Sequence, residues 1–205
     1  MVGVTESEKQ YRHLLQKALD GTIQAMAMVV EMRDPYTARH QRRVAKLAYA
    51  VAESMALSEE QVHSVCVAAG VHDIGKIGVP AEILSKPGLL GRVEASMIRS
   101  HPRIGYDILK SIEFPWPIAQ IVFQHHERMD GSGYPSGLLG ESILLEAKIL
   151  GVADVVEAMA SHRPYRPAPG IDKALEEISK NSGSLYDPEV VAACSSVFAQ
   201  GFKWE

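Results

Sequence analysis

The chain has few cysteines, no long apolar run and no excess of basic charge. Its 205 residues include two cysteines, Cys66 and Cys194, and both fall within apolar patterns typical of helices. We therefore expect buried thiols in a reducing cytoplasm and no disulfide. No stretch of about 18 apolar residues occurs, so no membrane span is predicted. The N-terminus lacks a basic region followed by an apolar core, which argues against a secretory signal.

The charge and the composition exclude one further class of function and point to one residue type. A net charge of −4 argues against a dedicated nucleic-acid-binding protein, because such proteins usually present a basic face. Strand-like alternation of apolar and polar residues is also absent. The residue type that stands out is histidine, of which the chain has eight, mostly in short polar clusters. These clusters are the first place to look for a functional site.

Apolar residues recur at helical spacing along almost the whole chain, which predicts an all-α helical bundle. Helices are expected at 8–32, after Asp34-Pro35 and from about 142 to 161. A capping box is expected at Ser58 and Gln61, and Asp187-Pro188 should begin the last helix. The segment 79–91 should be loop with a short turn or helix, and Ser100 should cap a helix. We expect residues 1–20 to be a helical extension or linker end, and 21–205 to form the functional domain.

Several His and Asp residues lie on the apolar faces of these predicted helices. His40 lies four residues before Val44, and His125 lies four residues after Ile121. Asp154 lies in the middle of an apolar helix. A buried ionised carboxylate needs a cation or a metal as its partner, because desolvation of a charge costs several kcal/mol. These positions therefore call for an account of what their polar groups bind.

Two interpretations of these residues are open. Taken singly, an inward histidine is more often a hydrogen-bonded core residue than a ligand, and we interpret His13 and His63 in this way, with His162 unassigned. Asp154 alone could pair with an arginine such as Arg43. Taken together, seven candidates are explained more economically by one shared site, as helical bundles build metal sites from inward side chains. The seven are His40, His72, Asp73, His101, His125, His126 and Asp154.

Seven ligands are too many for one metal ion and suit two ions that share a carboxylate. Asp73 is the natural bridge, since it follows His72 directly and has one oxygen for each ion. Two ions about 4 Å apart are a standard device for phosphoester hydrolysis, because they lower the pKa of a shared water and neutralise charge on the phosphoryl oxygens. A mixed His and carboxylate set suits iron, manganese, nickel, cobalt or zinc.

Several motifs resemble the HD-GYP subfamily of the HD phosphohydrolase superfamily. An isolated His-Asp pair is common by chance, so the resemblance depends on the order and spacing of the whole set. The motifs are "RDPYTARHQRRV" at 33–44, "VHDIGKIGVP" at 71–80, "SHPRIGYDIL" at 100–109, "QHHERMDGSGYPSGLLG" at 124–140, "ILGVADVVEAMASHRPYR" at 149–166 and "LYDPEVV" at 185–191. The resemblance extends over roughly residues 20–200, which is nearly the whole chain.

The resemblance implies a metal-dependent phosphodiesterase that acts on the bacterial second messenger cyclic di-GMP. A metal-bridging hydroxide at a binuclear His/Asp site would open the ring to linear pGpG, and a second cut would give GMP. His72 and Asp73 would be the signature ligands, with Asp73 as the bridge. The shell of one ion would be completed by His40 and Asp154. The other would be completed by His101, His125 and His126.

The same resemblance implies roles for residues around the metals. Asp73 and Lys76 would be catalytic, and Lys76 would touch the scissile phosphate. Tyr134, in the Gly-Tyr-Pro triplet, would contact the substrate. Arg163 and Arg166 would hold a substrate phosphate, although without the resemblance a solvated loop would be the simpler interpretation. Charge-assisted hydrogen bonds from these cations suit a dianionic cyclic dinucleotide.

Other features leave alternatives open. Some family members place a metal-binding glutamate where this chain has Tyr36, and a phenol with a pKa near 10 is a poor substitute at neutral pH. We therefore predict two ions, and the second hydrolytic step stays open. Glu127 and Asp130 either orient the histidines or pin the loop that follows them.

Substrate and partners also have alternatives. The substrate could be another cyclic dinucleotide such as cyclic GMP-AMP, or the domain could be a weakly active module that senses the nucleotide or binds a protein. The Gly-Tyr-Pro loop could dock a protein such as a diguanylate cyclase domain. Helix 8–32 could form a homodimer contact. No membrane and no nucleic-acid polymer is expected as a partner.

Overall fold

The chain folds into helices joined by short loops. The computed structural model describes residues 6–32, 38–161 and 168–204, and within these ranges it has two isolated β-bridges but no β-strand. The all-α prediction is therefore confirmed. The helices are α1 (Glu6–Glu31), α2 (Ala38–Ser54), α3 (Glu59–Val71), α4 (Ala81–Leu84), α5 (Arg92–Arg99), α6 (His101–Leu109), α7 (Ile118–Gln124), α8 (Leu145–Ala160), α9 (Ile171–Lys180) and α10 (Pro188–Ala199), with short 3₁₀ helices at Ile74–Gly78 and Gly140–Ser142.

Helices α2 and α8 form the middle of the bundle. α2 packs against α3, α8 and α10, and α8 also contacts α3, α7 and α9. The apolar face predicted for α2 is buried, with Val44, Leu47 and Val51 fully inaccessible to solvent. Residues 149–154 of α8 are all buried, which matches an apolar sequence that does not favour one face. A carboxylate on α8 is therefore placed in the core of the protein.

Two predicted helix starts are confirmed by their hydrogen bonds. The Ser58 hydroxyl accepts the backbone N–H of Gln61 at 3.3 Å, and the Ser58 N–H donates to Gln61 Oε1 at 3.4 Å, which completes the capping box. Asp187 Oδ1 accepts the N–H groups of Glu189 and Val190 at 3.0 and 3.4 Å and so begins α10. Both caps stabilise their helices because the first N–H groups of a helix have no intrahelical partner.

The role predicted for Ser100 is wrong. Its hydroxyl donates to the carbonyl of Met97 at 2.6 Å and makes no capping bond to α6. The reason is that α5, which the apolar pattern did not indicate, ends immediately before Ser100 and supplies that carbonyl. The helix expected from about 142 also starts later, at Leu145, because residues 140–142 form a 3₁₀ turn.

The second half of the first helix packs against the rest of the protein. α1 runs unbroken through residue 20 and contacts α3. Its buried apolar residues are Ile23, Ala27 and Val30. Its N-terminal half leaves apolar side chains exposed, namely Tyr11, Leu14 and Leu15. The predicted helix start at Asp34-Pro35 lies outside the described residues.

The cysteines behave as packing residues. Both are free thiols, with Cys194 buried and Cys66 half-buried. Burial raises the pKa of Cys66 to about 11 and that of Cys194 to about 12, so both stay protonated at neutral pH. Among the described helices, none has the length and apolar character needed to cross a membrane.

Candidate metal centre

All seven predicted ligands meet at one site inside the bundle. His40 comes from the first turn of α2, and Asp154 comes from the middle of α8. The others lie at helix ends: His72 and Asp73 after α3, His101 at the start of α6, His125 and His126 after α7. They form three overlapping groups, in each of which one ligand atom from every residue lies within 4.8 Å of the others. The groups are His101, His125 and His126; His40, His72 and Asp73; and His72, His125 and Asp154.

Close backbone packing brings Asp73 beside His101. The 3₁₀ helix Ile74–Gly78 follows Asp73 and packs against α6. A Cβ atom on Gly75 would lie 1.9 Å from the carbonyl oxygen of His101 and 2.6 Å from the nitrogen of Gly105. Only glycine fits between these backbones, so Gly75 allows Asp73 and His101 to lie side by side.

Three of the histidines are held in the same way. His72, His101 and His125 each place Nδ1 against the backbone carbonyl three residues earlier, at 2.8, 2.8 and 2.6 Å. A carbonyl oxygen only accepts hydrogen bonds, so Nδ1 carries the proton and Nε2 is left with a free lone pair. Their Nε2 atoms are therefore acceptors that face the centre of the cluster.

The Nε2 atoms of His72, His101 and His125 lack hydrogen-bond donors, and a bound cation would give their lone pairs a partner. Nε2 of His101 and Nε2 of His125 lie 3.3 Å apart, so two lone pairs face each other. Nε2 of His72 is buried with no hydrogen-bond partner. Leaving buried acceptors unpaired is unfavourable, and a metal ion between them removes the penalty. The residues present thus fit a metal site, with imidazoles and carboxylates as ligands.

Asp73 lies between His101 on one side and His72 on the other. Its Oδ1 is 3.5 Å from His101 Nε2, and its Oδ2 is 3.6 Å from His72 Nε2. The Lys76 ammonium donates to Oδ2 at 2.7 Å. Burial would raise the pKa of Asp73, but the charge of Lys76 holds it well below its usual range. Asp73 is therefore an ionised carboxylate with one oxygen towards His101 and the other towards His72.

Asp154 contacts the cluster from the opposite helix. Its Oδ1 is 3.0 Å from His40 Nε2, and its Oδ2 is 3.9 Å from His126 Nδ1. Burial would raise the pKa of Asp154, but the hydrogen bond and charge of His40 lower it well below the usual value. The pairing with Arg43 that the sequence left open is not formed, because the Arg43 guanidinium lies beside Glu157 at 3.7 Å.

Glu157 is a site residue that the sequence reasoning missed. It is 2% exposed, and its Oε2 lies 2.5 Å from His40 Nδ1. Burial would lower the pKa of His40, but hydrogen bonds to the carboxylates of Asp154 and Glu157 raise it to about 9. The available signal was an acid one helical turn after Asp154 on an apolar helix, a position that faces the same side.

The paired histidines after α7 are neutral in this environment. Burial, together with neighbouring histidines, lowers the pKa of His125 well below its usual value. Burial likewise lowers the pKa of His126 to about 3, although the Asp154 carboxylate opposes the shift. Neutral imidazoles keep a lone pair for a metal at physiological pH.

The Gly-Tyr-Pro loop folds back over this pair. The Tyr134 ring lies on the His126 ring, with centroids 4.7 Å apart and an interplanar angle of 31°. The Tyr134 N–H donates to the carbonyl of His126 at 3.2 Å, and the Tyr134–Pro135 peptide bond is cis. The Arg99 guanidinium lies 5.6 Å from the centre of the Tyr134 ring. Tyr134 is thus part of the wall of the histidine cluster, with an exposed cation beside it.

The carboxylates of the loop hold its backbone and not the histidines. Glu127 accepts the N–H of Ser136 at 2.7 Å and the N–H of Leu138 at 2.9 Å. Asp130 Oδ1 accepts the N–H of Ser132 at 2.9 Å. Both residues therefore pin the loop, which answers the question that the sequence left open.

The remaining residues singled out in the sequence lie away from the cluster or outside the described residues. The His63 ring packs against Trp116 with centroids 4.6 Å apart, as expected for a packing residue outside the site. The side chain of His13 is not among those described. Tyr36, His162, Arg163 and Arg166 lie outside the described residues.

Comparisons with known proteins identify the family of the chain. The family model described as "HD domain" matches residues 24–190. The chain is 45% identical over 174 residues to the cyclic di-GMP phosphodiesterase response regulator RpfG of Xanthomonas campestris, covering 84% of this chain and 46% of that protein. It is 38% identical over 175 residues to the 3′3′-cGAMP-specific phosphodiesterase 3 of Vibrio cholerae, covering 85% and 38%.

A solved structure has the same fold. The cyclic GMP-AMP specific phosphodiesterase V-cGAP3 of V. cholerae superposes with a TM-score of 0.69 at 18% identity, over 88% of this chain and 48% of that chain. The chain spans about half the length, or less, of the curated relatives it matches. The family-model match extends from α1 to the start of α10 and includes all seven clustered residues. The chain therefore belongs to the HD domain family, and the HD-GYP resemblance of its motifs is confirmed.

Proposed function

We propose that this chain is the catalytic domain of a metal-dependent phosphodiesterase that hydrolyses cyclic di-GMP. The observation that carries the proposal is the position of Asp73 between two sets of histidines, with Oδ1 3.5 Å from His101 and Oδ2 3.6 Å from His72. A carboxylate with one oxygen towards each set is the arrangement that two ions sharing a bridge require. The 45% identity to RpfG supports the choice of substrate.

In this proposal the seven clustered residues are ligands of two ions. Asp73 is shared between them. One ion is held with His40, His72 and Asp154, and the other with His101, His125 and His126. The ions are divalent iron, manganese, nickel, cobalt or zinc, since imidazole and carboxylate ligands suit all of these. When bound, they supply a water of lowered pKa and positive charge to offset the charge that develops on the phosphoryl oxygens.

Asp73 and Lys76 are the catalytic residues of the proposal. Lys76 lies 2.7 Å from Asp73, and its side chain is 15% exposed, so its ammonium can keep this ion pair and also donate to a phosphate oxygen at the site. The charge of Lys76 keeps Asp73 ionised, and the ionised carboxylate in turn holds the Lys76 ammonium in place. Hydrolysis joins a water oxygen to phosphorus and breaks one phosphodiester P–O bond, which opens the ring to linear pGpG.

The substrate wall in this proposal includes Tyr134, Arg163 and Arg166. Tyr134 is packed on His126, which fixes its ring at the edge of the cluster. Arg163 and Arg166 are proposed to hold a substrate phosphate on the strength of their motif, next to Ser161 at the end of α8. With Tyr36 in place of a carboxylate we propose two ions and pGpG as the main product, with GMP as the product of a second cut.

A second candidate substrate is cyclic GMP-AMP. The observation that favours it is the 38% identity to a relative named as specific for 3′3′-cGAMP. The metal chemistry is the same for both substrates, so the difference lies in how the second base is recognised. A comparison of kcat/KM for the two dinucleotides on one preparation decides between them, and a ratio above 1 for cyclic GMP-AMP would reverse our assignment.

Partner contacts are a separate part of the proposal. The tip of the Gly-Tyr-Pro loop is exposed at Pro135 and Ser136, so this loop can dock a protein such as a diguanylate cyclase domain. The exposed apolar side chains of α1 suit a homodimer, because association would remove Tyr11, Leu14 and Leu15 from water. The segment 1–20 then acts as a helical extension to the domain at 21–205. The cytoplasm is the compartment in which cyclic di-GMP would be met.

The test uses the purified chain loaded with Mn²⁺ or Fe²⁺ under reducing, anaerobic conditions. We expect hydrolysis of cyclic di-GMP to pGpG. Activity should fall more than about 100-fold in Asp73→Ala, because loss of a ligand's hydrogen-bond partner alone typically costs about 10–100-fold. The matched control is Asp107→Ala, because Asp107 is an exposed carboxylate paired with Arg103 and Lys110 on the outside of α6. No turnover of any 3′,5′-cyclic dinucleotide by the wild-type protein would overturn the proposal.

A further inference from the structure

His40 is held differently from the other histidines of the cluster. His72, His101 and His125 each donate Nδ1–H to a carbonyl three residues earlier in the chain. His40 lies in the first turn of α2, and the Nδ1 partner that the structure gives it is the Glu157 carboxylate, 2.5 Å away and 117 residues later in the chain. The orientation of this one imidazole therefore depends on a contact between α2 and α8.

Glu157 is itself fixed on both oxygens. Oε2 contacts His40, and Oε1 accepts a hydrogen bond from the Ser161 hydroxyl. Arg43 donates to the Ser161 oxygen at 3.1 Å and lies 3.7 Å from Glu157 Oε1. With 2% of its surface exposed, Glu157 has little freedom to choose another partner. A buried carboxylate held in this way can set the orientation of the group it contacts.

We propose that Glu157 is a positioning residue for the metal centre, which holds His40 with Nδ1–H towards Glu157 and Nε2 towards Asp154. The inference rests on the proposed function, because it assumes that His40 is a metal ligand. A carboxylate accepts but does not donate, so Glu157 keeps the proton on Nδ1. Nε2 shares its own proton with Asp154 Oδ1 at 3.0 Å, and a bound ion would replace that proton. The negative charge also makes the imidazole a stronger electron-pair donor, and the loss of such partners typically costs about 10–100-fold in metal affinity.

The competing explanation is that Glu157 only stabilises the fold as a buried partner of His40 and Arg43. The two explanations differ in what they predict for metal binding. A purely structural residue changes the stability of the metal-free protein and leaves the affinity of the folded protein for metal unchanged. A positioning residue changes the affinity itself.

The experiment measures Mn²⁺ affinity of the full 205-residue chain by competition with a chelator, for wild type, Glu157→Ala and Glu157→Gln. We expect Glu157→Ala to bind Mn²⁺ about 10–100-fold more weakly. Glu157→Gln keeps an oxygen that can accept Nδ1–H and loses only the charge, so its affinity should fall by less than that of Glu157→Ala. The matched control is Glu146→Gln, the same change on the same helix at a carboxylate that contacts Gln61 at 3.3 Å.

A second readout follows the His40 proton directly. In the zinc-loaded protein, NMR should show a downfield, slowly exchanging Nδ1–H for His40 in wild type and in Glu157→Gln. The signal should be lost in Glu157→Ala. Urea unfolding of the metal-free variants reports any change in stability separately from the change in affinity.

The outcomes separate the inference from the proposed function. If wild type binds none of Mn²⁺, Fe²⁺, Ni²⁺, Co²⁺ and Zn²⁺, the proposed function fails. If wild type binds Mn²⁺ and folded Glu157→Ala binds it equally well, Glu157 is structural and the inference is overturned. If Glu157→Ala does not fold, Glu157→Gln and Ser161→Ala decide, because Ser161 holds the other oxygen of Glu157. Wild-type affinity in both of these variants would also overturn the inference.

Discussion

Glu127 Oε1 accepts a hydrogen bond from the backbone N–H of Ser136 at 2.7 Å, across nine residues of chain. Glu127 directly follows His126, and Ser136 directly follows the Tyr-Pro pair. Oε2 holds the N–H of Leu138 at 2.9 Å in the same way. A Cβ atom on Gly133 would lie 2.4 Å from the Arg128 nitrogen, so the loop lies directly on the chain that follows the histidines. The loop and the histidine pair are therefore positioned as one unit.

We expect Glu127→Ala to release this loop. Two hydrogen bonds to a charged acceptor are lost, so the free energy of unfolding should fall by about 2 kcal/mol. KM for cyclic di-GMP should rise more than kcat falls, because the loop carries Tyr134 but none of the seven clustered ligands. Steady-state kinetics measure the changes in KM and kcat, and amide hydrogen exchange at Ser136 measures the release of the loop. Glu127→Gln keeps one acceptor oxygen, so its exchange rate and KM should lie between those of wild type and Glu127→Ala. Unchanged exchange at Ser136 in Glu127→Ala would contradict the expectation.

Gly75 should not tolerate a side chain. A Cβ atom there would overlap the backbone of His101 and Gly105, and backbone cannot move aside as a flexible side chain can. Gly75→Ala should therefore displace Asp73 from His101 and lower activity at least 100-fold, with a loss of stability of about 3 kcal/mol or more. Activity assays and urea unfolding measure both.

The matched control for this substitution is Gly21→Ala. Gly21 lies within α1, and a Cβ atom there would have nothing within 4 Å. Alanine in an exposed helix interior is more favourable than glycine by about 0.5–1 kcal/mol, so this variant should be fully active and slightly more stable. Wild-type activity in Gly75→Ala would show that the 3₁₀ turn does not control the cluster.

Removal of metal should lower the melting temperature. An ion present at 100 times its Kd stabilises the folded state by about 2.7 kcal/mol. For a chain of this size we expect a chelator to lower Tm by about 5–10 °C for each ion removed. Asp73→Ala should respond much less to the chelator, and Asp107→Ala should respond as wild type does. A wild-type Tm that is independent of chelator and of added Mn²⁺ would count against a metal in this site.

The Asp187–Lys148 ion pair should make stability depend on pH. Burial would raise the pKa of Asp187, but the hydrogen bond and charge of Lys148, 3.0 Å away, lower it. A lowered carboxyl pKa contributes stability above the unfolded value of about 4, and this contribution is lost as pH falls through the folded value. Asp187→Asn keeps an oxygen that can cap α10 and removes the charge, and with it the ion pair and the attraction of the charge for the first N–H groups of α10.

We expect wild type to be more stable than Asp187→Asn by about 1 kcal/mol at pH 7. The difference should shrink towards zero below pH 4, where Asp187 becomes protonated in both the folded and the unfolded state. Urea unfolding of both proteins across this pH range gives the difference, in which other titrating groups cancel. A gap that persists unchanged at pH 3 would show that the charge of Asp187 is not its source.

The exposed apolar residues of α1 give a test of the homodimer. Leu14 is 58% exposed, so replacing it with glutamate should cost the folded protomer little. If α1 forms the contact, Leu14→Glu should turn a wild-type dimer into a monomer in analytical ultracentrifugation while kcat stays within about twofold. A wild-type protein that sediments as a monomer at 100 times the assay concentration would rule out this contact.

Local patterns in the sequence predicted most of the helices and caps because the interactions involved are local. The capping box at Ser58 and Gln61 needs only groups three residues apart, and it formed as predicted. Ser100 has the same chemistry, yet its hydroxyl went to Met97. A cap depends on what precedes it, and the pattern did not indicate α5. Propensity alone could not choose between these two outcomes.

The sequence by itself determined that the chain is helical and that seven His and Asp side chains need a common site, because an ionised group on an apolar helix face must find a partner. It also determined the family, through motifs whose order and spacing are specific. Only the tertiary structure decided how the site is held together. The contact of His40 with Glu157 joins residues 117 positions apart. Hydrogen bonds act over about 3 Å of space and carry no signature in sequence distance, so a partner of this kind becomes visible only when the helices are packed.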